Sequence, residues 1–436
     1  MRRIVIIGAG PAGLAAAEHA LRAGAEVTVL DQADAPGGQY HRTLPAAYES
    51  RQERAASERR QQILDRCTWW PESTVWAVEG RRVHVLRGPA DGTRRHRHTL
   101  DPDALILATG AHDRTLPFPG WQLPGVYTAG AAQALAKGER VAIGRRVLVA
   151  GSGPFLLPVA ESLLKVGVTV EAVLEAGSKA TVLKGWGLQT HKAAELARYV
   201  TTLVRHRVPY HFGRAVVEAR GDDRVREVVT AKTRPDWSTV DGTERTREVD
   251  AVCVGHGFVP QPELAVAAGC LLDGGFVRVD DHQHTSVPGV FAAGEITGIG
   301  GAVGAAAEGA VAGCVAAGGT PSRRLLRRRD RARAFAGRLA AAHPIGAAWP
   351  GWLRDDTIVC RCEETTYGDL KTAVADPAAP GPHALKLGTR AGLGPCQGRM
   401  CGPTVAELCG GAERHHRPIA QPIRLGELAD PKETPA

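Results

Sequence analysis

The chain has 436 residues, 44% hydrophobic and 23% charged, which suits a water-soluble protein of two or three domains with substantial cores. Its formal charge of +8 misleads: Arg323 to Arg338 holds eight Arg and one Asp, so this window supplies +7 and the remainder is nearly neutral. Basic charge concentrated there, without interleaved stacking aromatics, argues against nucleic-acid binding, and the Ala/Gly-rich stretch Gly298 to Gly319, interrupted by Glu308, is too weakly apolar for a membrane span.

Arg2 to Ile7 reads as the first strand, leaving no room for a secretory leader and predicting a cytoplasmic protein. It runs into Gly8-Ala-Gly10-Pro-Ala-Gly13 and an Ala-rich helix to about Gly24. Gly8 permits the tight turn, Gly10 lets backbone approach a pyrophosphate at the helix N-terminus, and Gly13 lets helix and strand pack closely. The next strand, Glu26 to Leu30, ends in Asp31, placed for a ribose diol. Strand, loop, helix, strand and acid in this order predict dinucleotide binding.

Further along come Pro36-Gly37-Gly38-Gln39, then a buried strand from Leu105 into Thr109-Gly110, with His112 and Arg114 just beyond it. A second nucleotide-like unit follows: strand Arg146 to Ala150, loop Gly151-Ser-Gly153-Pro-Phe-Leu156, a helix, strand Val170 to Leu174, and Glu175. Leu156 at the third glycine position predicts that helix and strand are pushed apart. Glu175, with no Arg following to meet a 2′-phosphate, suits NAD rather than NADP; another adenine nucleotide or a structural relic stays open. Gly221 to Glu248 reads as a polar hairpin region, and Gly289 to Gly294-Glu295 as a strand before an Ala/Gly-rich helix. In the Arg-rich window, Leu325, Leu326, Ala332, Phe335, Leu339 and Ala342 share one helical face, predicting an amphipathic linker helix whose basic side is solvated or docks an acidic partner. Trp349-Pro-Gly-Trp352 marks entry to a last domain, and Asp376 to Pro382 is a loop within it.

That last domain carries Cys360-Arg-Cys362 and Cys396-Gln-Gly-Arg-Met-Cys401. Four thiolates suffice for a 2Fe-2S cluster. Cys-x-Cys is tighter than usual structural zinc spacing, which favours iron-sulfur over zinc and over unligated core cysteines. Lys386, Arg390 and Arg399 lie nearby in sequence, where positive charge would offset the thiolates; a solvated basic face is the plain alternative. Cys409, like Cys67, Cys253, Cys270 and Cys314, reads as a small buried hydrophobe. Only Cys67 falls in the first 250 residues, so no cysteine pair accompanies the early motifs and disulfide reduction is excluded.

The segments around Gly8, Gly38-Gln39, Thr109-Gly110 and Gly294-Glu295 resemble the two-dinucleotide-domain flavoproteins, the α/β, glutathione-reductase-like class. The resemblance implies FAD, with Thr109-Gly110 at the domain crossover and Glu295, where Asp is usual, at the ribityl or pyrophosphate region; His112 and Arg114 line the flavin pocket or serve structure. Cys360-Arg-Cys362-Glu363 and Gly388 to Cys401 resemble the bacterioferritin-associated-ferredoxin-like 2Fe-2S domain. The whole chain resembles the alpha-type subunits of heteromeric FAD/iron-sulfur amino-acid dehydrogenases, the group of proline or hydroxyproline dehydrogenases, opine oxidases and the B-type component of hydrogen cyanide synthase. This implies an electron-transfer role, with a catalytic FAD-bearing beta subunit for a partner and room for a small ferredoxin-like subunit. No catalytic residue is nominated. An autonomous NADH-dependent flavin/iron-sulfur reductase is the alternative, and a zinc-stabilised binding protein the third reading. The expected domains are 1–115 and 250–320 for FAD, 116–249 for the inserted NAD-like domain, 321–355 for the linker helix and 356–436 for the cluster.

Overall fold

The structure, a computed structural model, describes all residues except 43, 45, 93–94, 187–192, 377–380, 411–418 and 430–436; most of the expected loop at 376–382 lies outside the described residues. The chain forms two compact units. One comprises Met1–His112, Pro260–Gly337 and His415–Ala436; the other comprises Asp113–Val259 and Arg338–Arg414.

The first unit is built on a five-stranded parallel sheet in the order Val290–Ala292, Ala104–Leu107, Arg3–Ile7, Glu26–Leu30, Thr68–Trp70. Because strand side chains alternate, Ile4 and Ile6 pack among Ala12, Ala16 and Ala20 of the helix Pro11–Arg22. Val5 and Ile7 point the other way, towards Val75, Val78, Val83 and Val85, which belong to the antiparallel sheet Ser73–Glu79, Arg82–Arg87, His96–Leu100. Covered on both faces, these strands read as continuous Val/Ile/Leu runs.

The helix Gly301–Ala316 lies against Pro11–Arg22 so closely that a Cβ on Gly309 or Gly313 would sit 2.0 Å from the carbonyl oxygen of Ala12 or Ala16. Its Ala/Gly composition is therefore a packing requirement. Over it lies the Arg-rich helix Arg323–Ala342, and here the expectation of an entirely solvated basic side needs correcting. Arg329 is only 4% exposed and donates to the Asp281 carbonyl and to Asp330. Arg333 donates to Gln283 Oε1 at 2.6 Å and to Glu308 Oε1 at 2.9 Å.

The second unit holds another parallel sheet, Tyr210–Phe212, Thr169–Glu175, Arg146–Gly151, Ala251–Gly255, Val126–Thr128. The expected hairpin region is part of a three-stranded antiparallel sheet of Arg214–Arg220, Glu227–Lys232 and Arg245–Glu248. Leu156 does not force helix and strand apart: it is buried where Gly255 offers no side chain, and a Cβ there would stand 3.4 Å from Leu156 Cδ2. The small residue sits on the neighbouring strand.

The cysteine-bearing segment is no separate body extending to the C-terminus. Residues 338–414 cluster with 113–259, and His415–Ala436 with the first unit, where Arg95 forms a bidentate pair with Glu427 at 2.7 Å. Within the second unit Trp237, Trp349 and Trp352 share a core with Leu116 and Ala215. Trp237 and Trp352 stack with planes 4° apart, and Trp352 Nε1 donates to the Trp237 carbonyl at 3.0 Å.

Candidate functional site

In the first unit the glycine loop has the form of a cradle. Gly8 has φ +107°, and a Cβ there would meet the Ala108 carbonyl oxygen at 2.3 Å; one on Gly13 would overlap the Gly8 oxygen at 1.7 Å. Gly10 differs: its nearest neighbour for an added Cβ is Gly38 Cα, at 3.9 Å. Gly37 N donates to Ala9 O at 2.9 Å, so the fold brings Gly10 and Gly38 together. Asp31 accepts from Ala9 N at 2.6 Å and Ala33 N at 2.8 Å. Burial raises its pKa, opposed by those backbone donors. The open backbone at Gly10, with the N-terminus of a helix behind it, fits a pyrophosphate.

Thr109 and Gly110 are tied to Gln261: Thr109 Oγ1 donates to the Gln261 carbonyl at 2.7 Å, and Gln261 N to Gly110 O at 3.0 Å. Gln39 is exposed, its side chain turned to Arg42. Glu295 is held by Gly301 N at 3.2 Å, and burial raises its pKa. The residue that sequence reasoning missed is Glu308. Its carboxylate accepts from Gly294 N at 3.0 Å, Thr297 Oγ1 at 2.7 Å and Arg333 Nε at 2.9 Å, fixing the turn that carries Gly294 and Glu295. Its signal in the sequence was being the single charge in an Ala/Gly helix.

In the second unit Glu175 is 0% exposed. Oε2 accepts from Gly153 N at 2.9 Å and stands 3.3 Å from His343 Nδ1, while Oε1 accepts from Gly177 N at 2.9 Å. Tyr210 also hydrogen-bonds to it; burial, then this carboxylate, raise the phenol's pKa. His256, buried beside Arg114, is pushed down to about 4 by desolvation and is neutral. Glu175 thus sits at the end of its strand, as expected, but the chain's own groups engage it. His343, just past the Arg-rich helix, carried no sequence signal. Arg114 is directed to Glu407, which also accepts from Trp349 Nε1 at 2.8 Å, an ion-paired arrangement that serves the structure. His112 ends the first unit.

Cys360, Cys362, Cys396 and Cys401 line one cavity of about 260 Å3, together with Thr115, Pro117, Trp121, Thr128, Val359 and Thr404 among others. Cys360 ends the short strand Ile358–Cys360, and Cys401 immediately precedes the helix Gly402–Leu408. Gly394 approaches so closely that a Cβ there would lie 2.2 Å from Cys362 Cβ. Segment 113–128 forms the wall: Trp121 Nε1 donates to the Ile358 carbonyl at 2.5 Å, and Thr404 Oγ1 to the Thr115 carbonyl at 2.7 Å. Burial, then neighbouring Cys360, push the Cys401 thiol up, a crowding of thiols that a cationic centre relieves. Four sulfurs around a cavity fit a 2Fe-2S core. Arg399 donates to the Cys396 carbonyl at 3.1 Å and Arg390 to Glu363 at 2.7 Å, so both cations serve the ligand loops. Cys409 borders the apolar cluster beside the cavity, and burial raises its pKa. Cys67 is pushed up to about 11 by burial.

Comparison with known proteins agrees with this geometry. Residues 2–310 match the pyridine nucleotide-disulphide oxidoreductase family and residues 358–409 the BFD-like [2Fe-2S] binding domain; the cofactors are FAD and a 2Fe-2S cluster. The chain is 33% identical to the A-type component of opine oxidase from Rhizobium meliloti, over 98% of this chain and 87% of that one. It is 32% identical to the HcnB component of hydrogen cyanide synthase from Pseudomonas aeruginosa, over 92% and 90%. Among solved structures, L-proline dehydrogenase from P. horikoshii shares the fold with a TM-score of 0.69 at 18% identity, over 98% of this chain and 79% of that one. T. acidophilum thioredoxin reductase gives 0.53 at 25% identity, over 73% and 99%. No helix among the described residues is long and apolar enough to cross a membrane. Glycine cradle, thiol-lined cavity and matched segments lead to one conclusion: the chain belongs to the pyridine nucleotide-disulphide oxidoreductase family, in the form that carries a C-terminal BFD-like 2Fe-2S domain.

Proposed function

We propose that this FAD- and 2Fe-2S-containing oxidoreductase is the electron-transfer subunit of a heteromeric dehydrogenase acting on an amino acid or secondary amine of the proline, hydroxyproline or opine type. The observation that carries the reading is how the chain uses the residues between the helix Gly301–Ala316 and Cys360. Arg333 covers Glu308 in one unit, and His343 covers Glu175 in the other. This stretch therefore seals two buried carboxylates, whereas an amine pocket needs walls that bury a ligand and a few convergent polar groups. The names of the relatives, components of multi-chain enzymes, support this role. FAD supplies two-electron chemistry and the cluster one-electron chemistry; the protein positions them and sets their surroundings. Gly8, Gly10, Gly13, Asp31, Gly38, Thr109, Gly110, Gly294 and Glu295 would hold the flavin, and Cys360, Cys362, Cys396 and Cys401 the cluster.

The test is reconstitution. The isolated chain loaded with FAD and iron is expected to give no dye reduction with proline, hydroxyproline or opines, and activity is expected once co-expressed partner chains are supplied. Robust amine-dependent dye reduction by the chain alone would overturn the reading.

Closure of Glu175 bears on the reductase alternative. A ribose diol would have to displace His343 from a fully buried carboxylate, so stopped-flow mixing is expected to show no fast flavin bleaching by NADPH and at most slow bleaching by NADH. Rapid, saturable bleaching by either nucleotide would favour the autonomous reductase.

Replacement of Cys360, Cys362, Cys396 or Cys401 by alanine is expected to lower iron and labile sulfide together, and Cys409→Ser to leave both near wild type. Iron and sulfide assays on the purified variants check this. Loss in Cys409→Ser with retention in Cys401→Ala would mean a different fourth ligand.

A further inference from the structure

Thr115 is 7% exposed, and its hydroxyl oxygen is buried with no hydrogen-bond partner among the described residues. A buried polar atom left unpaired is costly and uncommon. Valine has the same shape without that cost, so packing does not account for the hydroxyl. The segment faces the cavity: Thr115 and Pro117 line it, whereas Leu116 between them is buried in the core of Trp237, Trp349 and Trp352. Thr115 is also fixed beside a candidate ligand. In the helix Gly402–Leu408, which begins directly after Cys401, Thr404 Oγ1 donates to the Thr115 carbonyl at 2.7 Å and Glu407 pairs with Arg114. The other non-cysteine polar side chains of the lining are engaged by protein: Trp121 with the Ile358 carbonyl, Thr128 with Asp113, Arg361 with the Gln122 carbonyl, and Thr404 with Thr115 itself. Among them the Thr115 hydroxyl is the one left for an acceptor inside the cavity, and rotation about its Cα–Cβ bond carries it there.

We propose, on the ligand assignment given above, that the Thr115 hydroxyl donates a hydrogen bond to a sulfur of the cluster held by Cys360, Cys362, Cys396 and Cys401, and that this bond raises the reduction potential of the cluster. Sulfur bound to iron carries negative charge, and a hydroxyl donating to it makes a charge-assisted hydrogen bond, stronger in a dry wall than in water. Reduction adds one electron, which converts one Fe3+ to Fe2+ and makes or breaks no bond; reduced flavin supplies it in the holoprotein and dithionite in the test. The added charge strengthens the hydrogen bond, so the hydroxyl stabilises the reduced form more than the oxidised one. The backbone contact from Thr404 holds Thr115 in place without engaging its side chain, which keeps the donor available.

The experiment compares Thr115→Val, which keeps the shape and removes the donor, with Thr115→Ser, which keeps the donor, in the flavin- and iron-loaded chain. Iron is assayed, and the midpoint potential is read by dithionite titration followed by electron paramagnetic resonance. Thr115→Val is expected to hold its iron and to be about tenfold harder to reduce, a fall of about 59 mV for a one-electron couple. Thr115→Ser is expected to stay near the wild-type potential. A loaded Thr115→Val protein at the wild-type potential overturns the proposal, and so does a Thr115→Ser protein whose potential falls as far as that of Thr115→Val. Should Thr115→Val lose iron, circular dichroism and Thr115→Ser decide: a folded Thr115→Val chain without iron beside an iron-bearing Thr115→Ser supports contact between hydroxyl and cluster. Loss of iron from both, or an unfolded Thr115→Val, makes the threonine structural and refutes it. A wrong ligand set shows separately, as loss of iron from Cys409→Ser with retention in Cys401→Ala.

Discussion

Gly10→Val is expected to yield a folded, colourless flavin unit, and Gly13→Val no folded flavin unit at all. The two glycines are three residues apart in one loop, yet the surroundings of an added side chain differ sharply. At Gly10 the nearest atom to a new Cβ is 3.9 Å away, and the backbone is ordinary, with φ −75°, so the chain itself accommodates a valine. What the valine occupies is the space through which backbone must approach a phosphate. At Gly13 the Cβ would be 1.7 Å from the Gly8 carbonyl oxygen, well inside van der Waals contact, so the helix must leave the strand. Absorbance at the flavin band read beside circular dichroism and thermal melting separates the outcomes. A yellow, stoichiometrically loaded Gly10→Val protein would remove Gly10 from the cofactor site.

Removal of Arg95 is expected to destabilise the first unit markedly. The Arg95 and Glu427 side chains are 6% and 8% exposed, and the pair is bidentate. Arg95→Ala takes away the bidentate partner and leaves Glu427 only the Arg424 backbone N–H and that residue's charge; breaking one side of a buried pair costs about 3–5 kcal/mol. The same pair gives a pH signature. The hydrogen bond from Arg95 holds the Glu427 carboxyl below its ordinary value of 4.5, so its stabilisation is fully present above that pH and is lost as pH falls through the lower folded value. Denaturant titrations of wild type should therefore lose stability on acidification below about pH 4.5, and Arg95→Ala should show a smaller loss, because only Arg424 then still favours the ionised carboxyl. Unchanged stability of Arg95→Ala at neutral pH would show that the C-terminal residues are not anchored by this pair.

Some of this was legible in the sequence because it is local. Gly8, Gly10, Gly13 and Asp31 follow one strand-loop-helix-strand unit, and the Val/Ile/Leu runs follow from strands covered on both faces. The cysteine segment was legible because its spacing is itself the signal. What escaped depends on partners distant along the chain. Glu308 was visible as a charge in an apolar helix, but not as the acceptor of Gly294 N and Arg333. His343 carries no pattern that points to Glu175. Leu156 seemed to spoil helix-strand packing because the compensating Gly255 stands on another strand. The burial of Arg329 and the ion pair of half-buried Arg333 were hidden for the same reason: helical periodicity marks a face, and the carboxylate and amide that make that face suitable for arginine come from residues 281 to 308.

The interleaving of the two units has a consequence for biosynthesis. One unit needs residues 1–112, 260–337 and 415–436, and the other 113–259 and 338–414, so neither can be completed by folding the nascent chain in order from its N-terminus. Domains ordinarily fold as units while synthesis proceeds. Here the first parallel sheet lacks its edge strand Val290–Ala292 until well over half the chain has been made, and His343 reaches Glu175 later still. The face of the first sheet that packs on Phe291, Ala305, Ala312 and Ala316 must wait for the last third of the polypeptide, whereas every strand of the second sheet has been made by Gly255. Slowed or truncated translation of that last third should therefore deplete the whole protein rather than leave a stable N-terminal flavoprotein fragment.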